Sequence, residues 1–252
     1  MFQQNYIDGG QKFLFVRFGQ PDQLLGTTLF VPGFLTDHQP FEYLGQKLAA
    51  YGRQVVILSD PHAPHALAPK AIVEELGLSQ IDVACHSAGC IHMTQAALEC
   101  PEIFRQIVFL NPAGSIEDDW LIWPLACRFF DETVTQTFSP AARVKHDKLV
   151  LEKITNLFIK NFLRDVWGSL CQVYKIAQAR MVDRLRRLKD KCKISIIHTE
   201  SDKLFPFSVV RRLATKLGVK FIGEPGVHNQ LFFKSSADRF ANLIHQELKI
   251  VT

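Results

Sequence analysis

Much of what would assign this chain to a large functional class is missing from it. Its six cysteines, at 85, 90, 100, 127, 171 and 192, include no Cys-x-x-Cys pair, so the common zinc and dithiol patterns are absent. Most of them fall inside apolar runs, where they read as buried thiols. No run of about eighteen apolar residues occurs, so no stable membrane insertion is expected. The first residues carry no basic segment followed by a long apolar stretch; no secretory signal is expected, and a reducing, cytoplasmic setting is. The net charge of +4 is slight for 252 residues. It does not argue for nucleic acid, and no nucleic-acid partner is expected, although the charge would help attract an anionic substrate. His62, His65, His86 and His92 come with no carboxylate or cysteine at metal spacing, so neither a metal nor another cofactor is expected. There is no internal repeat, no low-complexity tract and no signature of an oligomeric state.

What is present is an ordinary globular composition, 47% hydrophobic and 21% charged, long enough to bury a full core as one domain. Strand patterns fall near 13–18, 27–31, 54–58, 81–86, 106–110, 193–198 and 219–223, and helix patterns near 40–50, 69–77, 88–99, 206–217 and 231–248. Such alternation predicts an α/β fold, a mostly parallel central sheet covered by helices on both faces. From Ser115 to about Lys191 the alternation stops and only helical periodicity remains. Ile154, Leu157, Phe158 and Leu163 mark one helix; Trp167, Leu170, Tyr174, Ala177, Met181, Leu185 and Leu188 recur at three- and four-residue steps and predict one long amphipathic helix. The expected organisation is therefore a core of residues 1–114 and 192–252 with a helical lid, 115–191, inserted in it. The polar pair Asp131-Glu132 and the basic run from Arg184 to Lys193 read as solvated surface.

The chemistry concentrates in Cys85-His86-Ser87-Ala88-Gly89, which lies between the strand pattern ending at Cys85 and a helix pattern that runs without proline to Pro101. A serine at such a turn is lifted out of the sheet, with a helix N-terminus beneath it and the next amide free to donate. Small residues two before and two after it let strand and helix approach closely. Farther on, the strand-like run Ile194 to His198 leads into a loop with Asp202 and then Pro206, and Val219 to Gly223 leads into Glu224-Pro225-Gly226-Val227-His228-Asn229.

These segments resemble the α/β-hydrolase superfamily, whose nucleophile elbow is Gly-x-Ser-x-Gly, here with Cys85 at the first position, and whose chain order is serine, acid, histidine. The resemblance implies Ser87 as nucleophile, Asp202 as acid and His228 as base, with Glu200 a weaker substitute for the acid. It implies an oxyanion hole made by the Ala88 amide and by Phe34, in Pro32-Gly33-Phe34-Leu35, which resembles the family's His-Gly-x turn. Trp120, Trp123, Phe129 and Phe130 follow Asn111-Pro112-Ala113-Gly114 at a strand's C-terminal end, where open α/β sheets bind ligands, and are expected to line an apolar acyl pocket. The implied activity is hydrolysis of a small apolar carboxylic ester or thioester through an acyl-enzyme. The same triad also serves carbon–carbon bond hydrolases, acyltransferases and lyases, and the fold includes catalytically silent ligand-binding proteins, so these alternatives stay open on the sequence.

Overall fold

The computed structural model describes residues 2–8, 11–20, 25–59, 73–74, 77–78, 80–116, 122–137 and 145–249; the side chains of 2–8, 11–13, 122–123, 133–137, 145–151 and 154 are outside that description. Eight strands form one sheet: β1 (Phe2–Asp8), β2 (Gln11–Phe18), β3 (Thr27–Val31), β4 (Gln54–Leu58), β5 (Ile81–His86), β6 (Phe104–Leu110), β7 (Lys193–Thr199) and β8 (Lys220–Glu224). Their spatial order is β1-β2-β4-β3-β5-β6-β7-β8, with β2 antiparallel to β1 and to β4 and every other pairing parallel. β1 has no counterpart among the sequence expectations. Its Gln3, Gln4 and Asn5 erase the apolar alternation that reveals a strand, and only pairing with β2 explains it.

Every residue of β3, β4 and β5 is buried, as continuous apolar runs covered on both faces must be. The pleat divides them between two cores. Leu29, Val31, Val83, Cys85, Ile107 and Phe109 face one side, where α2 (Gly89–Glu99), α6 (Met181–Leu188) and α7 (Phe207–Leu217) pack. Phe30, Val55, Ile57, Ala84 and Val108 face the other, under α1 (Glu42–Ala50) and α8 (Lys234–Glu247). The expected helix over 69–77 lies mostly outside the described residues, although Val73 and Glu74 are helical.

Between β6 and β7 stand four described helices, α3 (Ile122–Thr137), α4 (Lys145–Arg164), α5 (Val166–Ala177) and α6. The single long helix expected from Trp167 to Leu188 is two. Arg180, at φ 41°, ends the run between α5 and α6. Ala177 and Met181 are still one helical step apart, so the apolar stripe crosses a break that periodicity cannot register. Nor is the stripe buried throughout: Trp167, Leu170 and Tyr174 are exposed, whereas Met181, Leu185 and Leu188 are core. The cysteines divide as well. Cys85 and Cys90 are buried, but Cys127 and Cys171, on the outer faces of α3 and α5, are exposed.

Chain order places β4 on one side of β3 and β5 on the other, so the connection direction reverses between β3 and β5. A crevice opens outside the carboxyl ends of strands at such a reversal. The parallel register sets Val31 beside Cys85, bringing the loops that follow the two strands together.

Candidate active site

Ser87 leaves β5 at φ 51°, a left-handed conformation that a serine adopts only where its surroundings enforce it. Its N–H donates to the Leu110 carbonyl at 3.0 Å, and its own carbonyl accepts the Cys90 and Ala113 amides at 3.1 and 3.2 Å. α2 then begins at Gly89, where a Cβ would stand 2.4 Å from the Pro32 carbonyl oxygen; only glycine lets the helix sit this close to the loop after β3. Gly33 repeats the constraint across the crevice, since a Cβ there would lie 3.0 Å from that of Ser87.

The three residues expected to cooperate are brought together. Ser87 Oγ lies 2.9 Å from His228 Nε2, and His228 Nδ1 lies 2.7 Å from Asp202 Oδ2. All three are buried. With Asp202 ionised, Nδ1 carries the proton and donates to the carboxylate, leaving Nε2 to accept from the serine hydroxyl. Asp202 Oδ1 accepts the Phe205 amide at 2.8 Å, which fixes the carboxylate plane. Glu200, the alternative acid, is exposed, and Asp202 occupies the position beside the imidazole.

The backbone of His228 is held from two sides. Its carbonyl accepts Asn111 Nδ2 at 2.6 Å, and Asn111 Oδ1 also accepts the Thr199 amide at 2.9 Å, so one side chain after β6 braces the end of β7 and the loop after β8. Its amide donates to Glu132 Oε1 at 2.8 Å, and Glu132 Oε2 accepts the Lys203 amide at 2.7 Å. Glu132 is therefore not solvated surface: it is 3% exposed, one helical step from the exposed Asp131, with two loop amides as partners. Neither Asn111 nor Glu132 stood out in the sequence, because a single polar residue carries no periodic signal and its partners lie far along the chain.

Burial works against a charged imidazole at His228, but the charge and hydrogen bond of Asp202, aided by the charge of Glu132, raise its pKa above the ordinary histidine value. His86 behaves in the opposite way. Burial, with the neighbouring His228, pushes it well below the ordinary value, so it stands as a neutral ring 5.1 Å from that of His228. His198, behind Asp202, is likewise lowered by burial, to about 4.

Ser87 and His228 open into a cavity of about 900 Å3, an ordinary volume for a small-molecule site. Phe34 and Phe129 line it, each packed on Phe158 with ring centroids 5.5 Å apart. Phe130, expected beside them, does not line it: one residue along α3 turns the side chain about 100°, and Phe130 is 72% exposed. Trp120 and the Trp123 side chain lie outside the described residues. The apolar wall instead draws on Phe158, Ile159 and Phe162 of α4 and on Val173 and Ile176 of α5. Among the described lining residues the carboxylates are Glu132 and Glu152, and there is no lysine or arginine. No group of three metal-ligating side chains occurs among the described residues. No described helix is long and apolar enough to cross a membrane.

The fold recurs in solved structures. An enol-lactonase from Burkholderia xenovorans superposes with a TM-score of 0.79 at 15% identity over 97% of this chain and 99% of its own. The protein has the α/β-hydrolase fold. A thermophilic esterase from Thermogutta terrifontis gives a TM-score of 0.75 at 13% identity over 98% of both chains. An alpha/beta hydrolase enzyme from a Medee basin deep-sea metagenome library gives 0.73 at 13% identity over 99% of this chain and 98% of its own. No family model and no curated protein matches the sequence, so these likenesses concern the α/β-hydrolase fold.

Proposed function

We propose that the protein is a serine hydrolase that cleaves a carboxylic ester or thioester with an apolar acyl group through an acyl-enzyme on Ser87. The observation that carries this reading is the unbroken hydrogen-bonded path Ser87 Oγ, His228 Nε2, His228 Nδ1, Asp202 Oδ2, with spans of 2.9 and 2.7 Å, at the floor of an apolar cavity. A serine hydroxyl is a weak nucleophile at neutral pH, and an oriented imidazole beside a buried carboxylate supplies what it lacks.

In the first half-reaction Ser87 Oγ attacks the substrate carbonyl while its proton passes to His228 Nε2, and Asp202 steadies the resulting imidazolium. The Ala88 and Phe34 amides receive the developing oxyanion; among the described backbone hydrogen bonds neither donates to another group. Collapse of the tetrahedral intermediate breaks the bond to the alcohol or thiol, which takes the proton from Nε2. Water then repeats the sequence on the acyl-Ser87 ester: it loses a proton to Nε2, attacks, and releases the acid and the free hydroxyl. Helices α3 to α5 serve as a lid that keeps bulk water from the acyl chain, with residues 115–191 as the inserted unit.

Lining chemistry narrows the substrate. Carboxylates without a lysine or arginine disfavour a second negative charge, so the acyl chain is neutral. The site thereby opposes what the slight positive net charge of the whole chain suggests.

A fluorophosphonate probe tests the assignment, because it labels serines made nucleophilic by a neighbouring base. The expected result is one label on the peptide containing Ser87, lost in Ser87→Ala. A folded protein that takes no label would overturn the reading and favour a silent ligand-binding member of the fold. Turnover of aliphatic esters and thioesters of graded chain length then separates hydrolysis from acyl transfer and carbon–carbon cleavage.

A further inference from the structure

Glu132 is a buried carboxylate that the acyl-enzyme chemistry leaves unused. It belongs to α3, in the segment between β6 and β7, yet its two oxygens accept amides from the loops that carry the other two members of the triad. Oε1 takes the N–H of His228 itself at 2.8 Å, and Oε2 takes that of Lys203, next to Asp202, at 2.7 Å. One helical turn earlier, Arg128 Nε donates to the Leu204 carbonyl at 2.9 Å, so a single face of α3 grips the acid loop twice and the histidine loop once. A fourth tie runs from α4: Asn161 Nδ2 donates to the Leu35 carbonyl at 2.8 Å, beside Phe34. A buried carboxylate facing two amides is costly unless both bonds are kept.

We propose that Glu132 is a positioning residue that couples the helical segment to the triad, such that α3 must be docked for His228 to hold Ser87 and Asp202 in line. The coupling rests on the triad reading given above. The docked helix fixes the His228 peptide from its amide side, while Asn111 Nδ2 at 2.6 Å and His86 Nε2 at 3.3 Å fix it from its carbonyl side; with α3 displaced, the amide-side restraint is lost and the peptide is free to tilt about its carbonyl. Because Glu132 also lines the cavity, an acyl chain that packs between α3 and α4 presses on the segment that sets the catalytic geometry.

Glu132→Gln keeps the shape of the side chain but retains one acceptor where two amides point, and it removes a negative charge. The charged and titratable groups facing His228 are Asp202 from the loop after β7, His86 from the end of β5, His198 from β7 and Glu132 from α3. Removing Glu132 takes away one of the two anions that favour the imidazolium. The expected outcome is a fall in kcat of about tenfold to a hundredfold, the range for a misplacement on the order of 1 Å. KM should change little, and the acid limb of the kcat/KM profile should move to lower pH. Glu132→Asp keeps the charge but is one methylene too short to bridge both loops. Its kcat should fall similarly while its acid limb stays near wild type, a split that a merely structural role does not produce.

Fluorophosphonate labelling reads the same coupling without a natural substrate: both variants should still label Ser87 fully, but at a slower rate. Wild-type protein that never labels would sink the triad reading instead, which keeps the two failures apart. Wild-type labelling rates and an unmoved acid limb in Glu132→Gln would overturn the coupling. If that variant does not fold, Arg128→Ala carries the test at the rim of the same contact. Slower labelling with an unchanged circular dichroism spectrum supports the proposal, and labelling at the wild-type rate overturns it.

Discussion

Strand β5 has a buried charged network at each of its ends, and the two are built differently. At its start Asp82 is fully buried and meets two guanidinium groups: Arg53 Nη1 at 2.7 Å from Oδ2 and Arg105 Nε at 2.8 Å from Oδ1. Arg53 in turn donates to the carbonyls of Leu25 and Leu248, so the cluster stitches the loop before β3 to the end of α8. Just past the strand's other end, Asp202 also has both oxygens engaged, but its network leads outward through His228 to a hydroxyl lining an open cavity, on a residue with a strained backbone. The first network ties charged groups to one another and to backbone carbonyls, and it holds the fold. The second stops at the Ser87 hydroxyl, which in the proposed reaction meets a substrate carbonyl. Buried charge alone therefore marks nothing; a chain of partners that ends at a cavity does.

The sharpest way to break this contrast is a pair of substitutions. Ser87→Ala should lower kcat/KM by roughly four to six orders of magnitude and leave the melting temperature nearly unchanged, because nothing else depends on the hydroxyl. Asp82→Asn should do the reverse. Leaving the buried Arg53 guanidinium and the partly exposed one of Arg105 without their anion costs about 3–5 kcal/mol and lowers Tm by about 10 °C, while kcat of the folded fraction stays near wild type. Thermal melts and ester turnover on the same samples decide it. A Ser87→Ala protein that melts as early as Asp82→Asn would mean that the elbow is held by its own hydroxyl and that the two ends of β5 do not differ in kind.

The same contrast explains how far the sequence could be read. Ser87, Asp202 and His228 were legible because each follows its own strand, and the order of strands fixes the order of loops. Asp82 is one polar residue in an apolar run and drew no expectation, and Glu132 read as the second half of a solvated acidic pair. What identifies both is a partner brought in by the fold: Arg53 and Arg105 for one, the amides of Lys203 and His228 for the other. Local periodicity records which way a side chain points, not what it meets there. Phe130 and the break at Arg180 failed for the related reason that an apolar stripe gives phase without depth or continuity.

A smaller effect sharpens the comparison in the cavity. Two straight-chain esters of equal length, one ending in a methyl group and one in a carboxylate, differ in the charge they bring toward Glu132 and Glu152. The neutral ester should be turned over with a kcat/KM about tenfold higher or more, since the charged end must be desolvated beside like charge. Glu152→Gln, which removes one of the two carboxylates at a position exposed enough to tolerate the change, should narrow that gap. Equal rates for the two esters would place the acyl chain somewhere other than this cavity.

The smallest expected effect concerns pH, and its sign follows from the open end of the network. In the proposed reaction His228 acts as a base only when neutral, and its pKa lies above the ordinary histidine value because Asp202 and Glu132 favour the imidazolium over the penalty of burial. Activity is therefore lost as pH falls through that raised pKa, and the acid limb of kcat/KM should have its midpoint above about 6.5. The limb belongs to the free enzyme, so it should not depend on which neutral ester is used. His86 and His198, both lowered by burial, are already neutral across this range and add no second step. A midpoint below the ordinary histidine value would mean that desolvation outweighs both carboxylates at His228, and that the imidazole is held by packing rather than by the charge beside it.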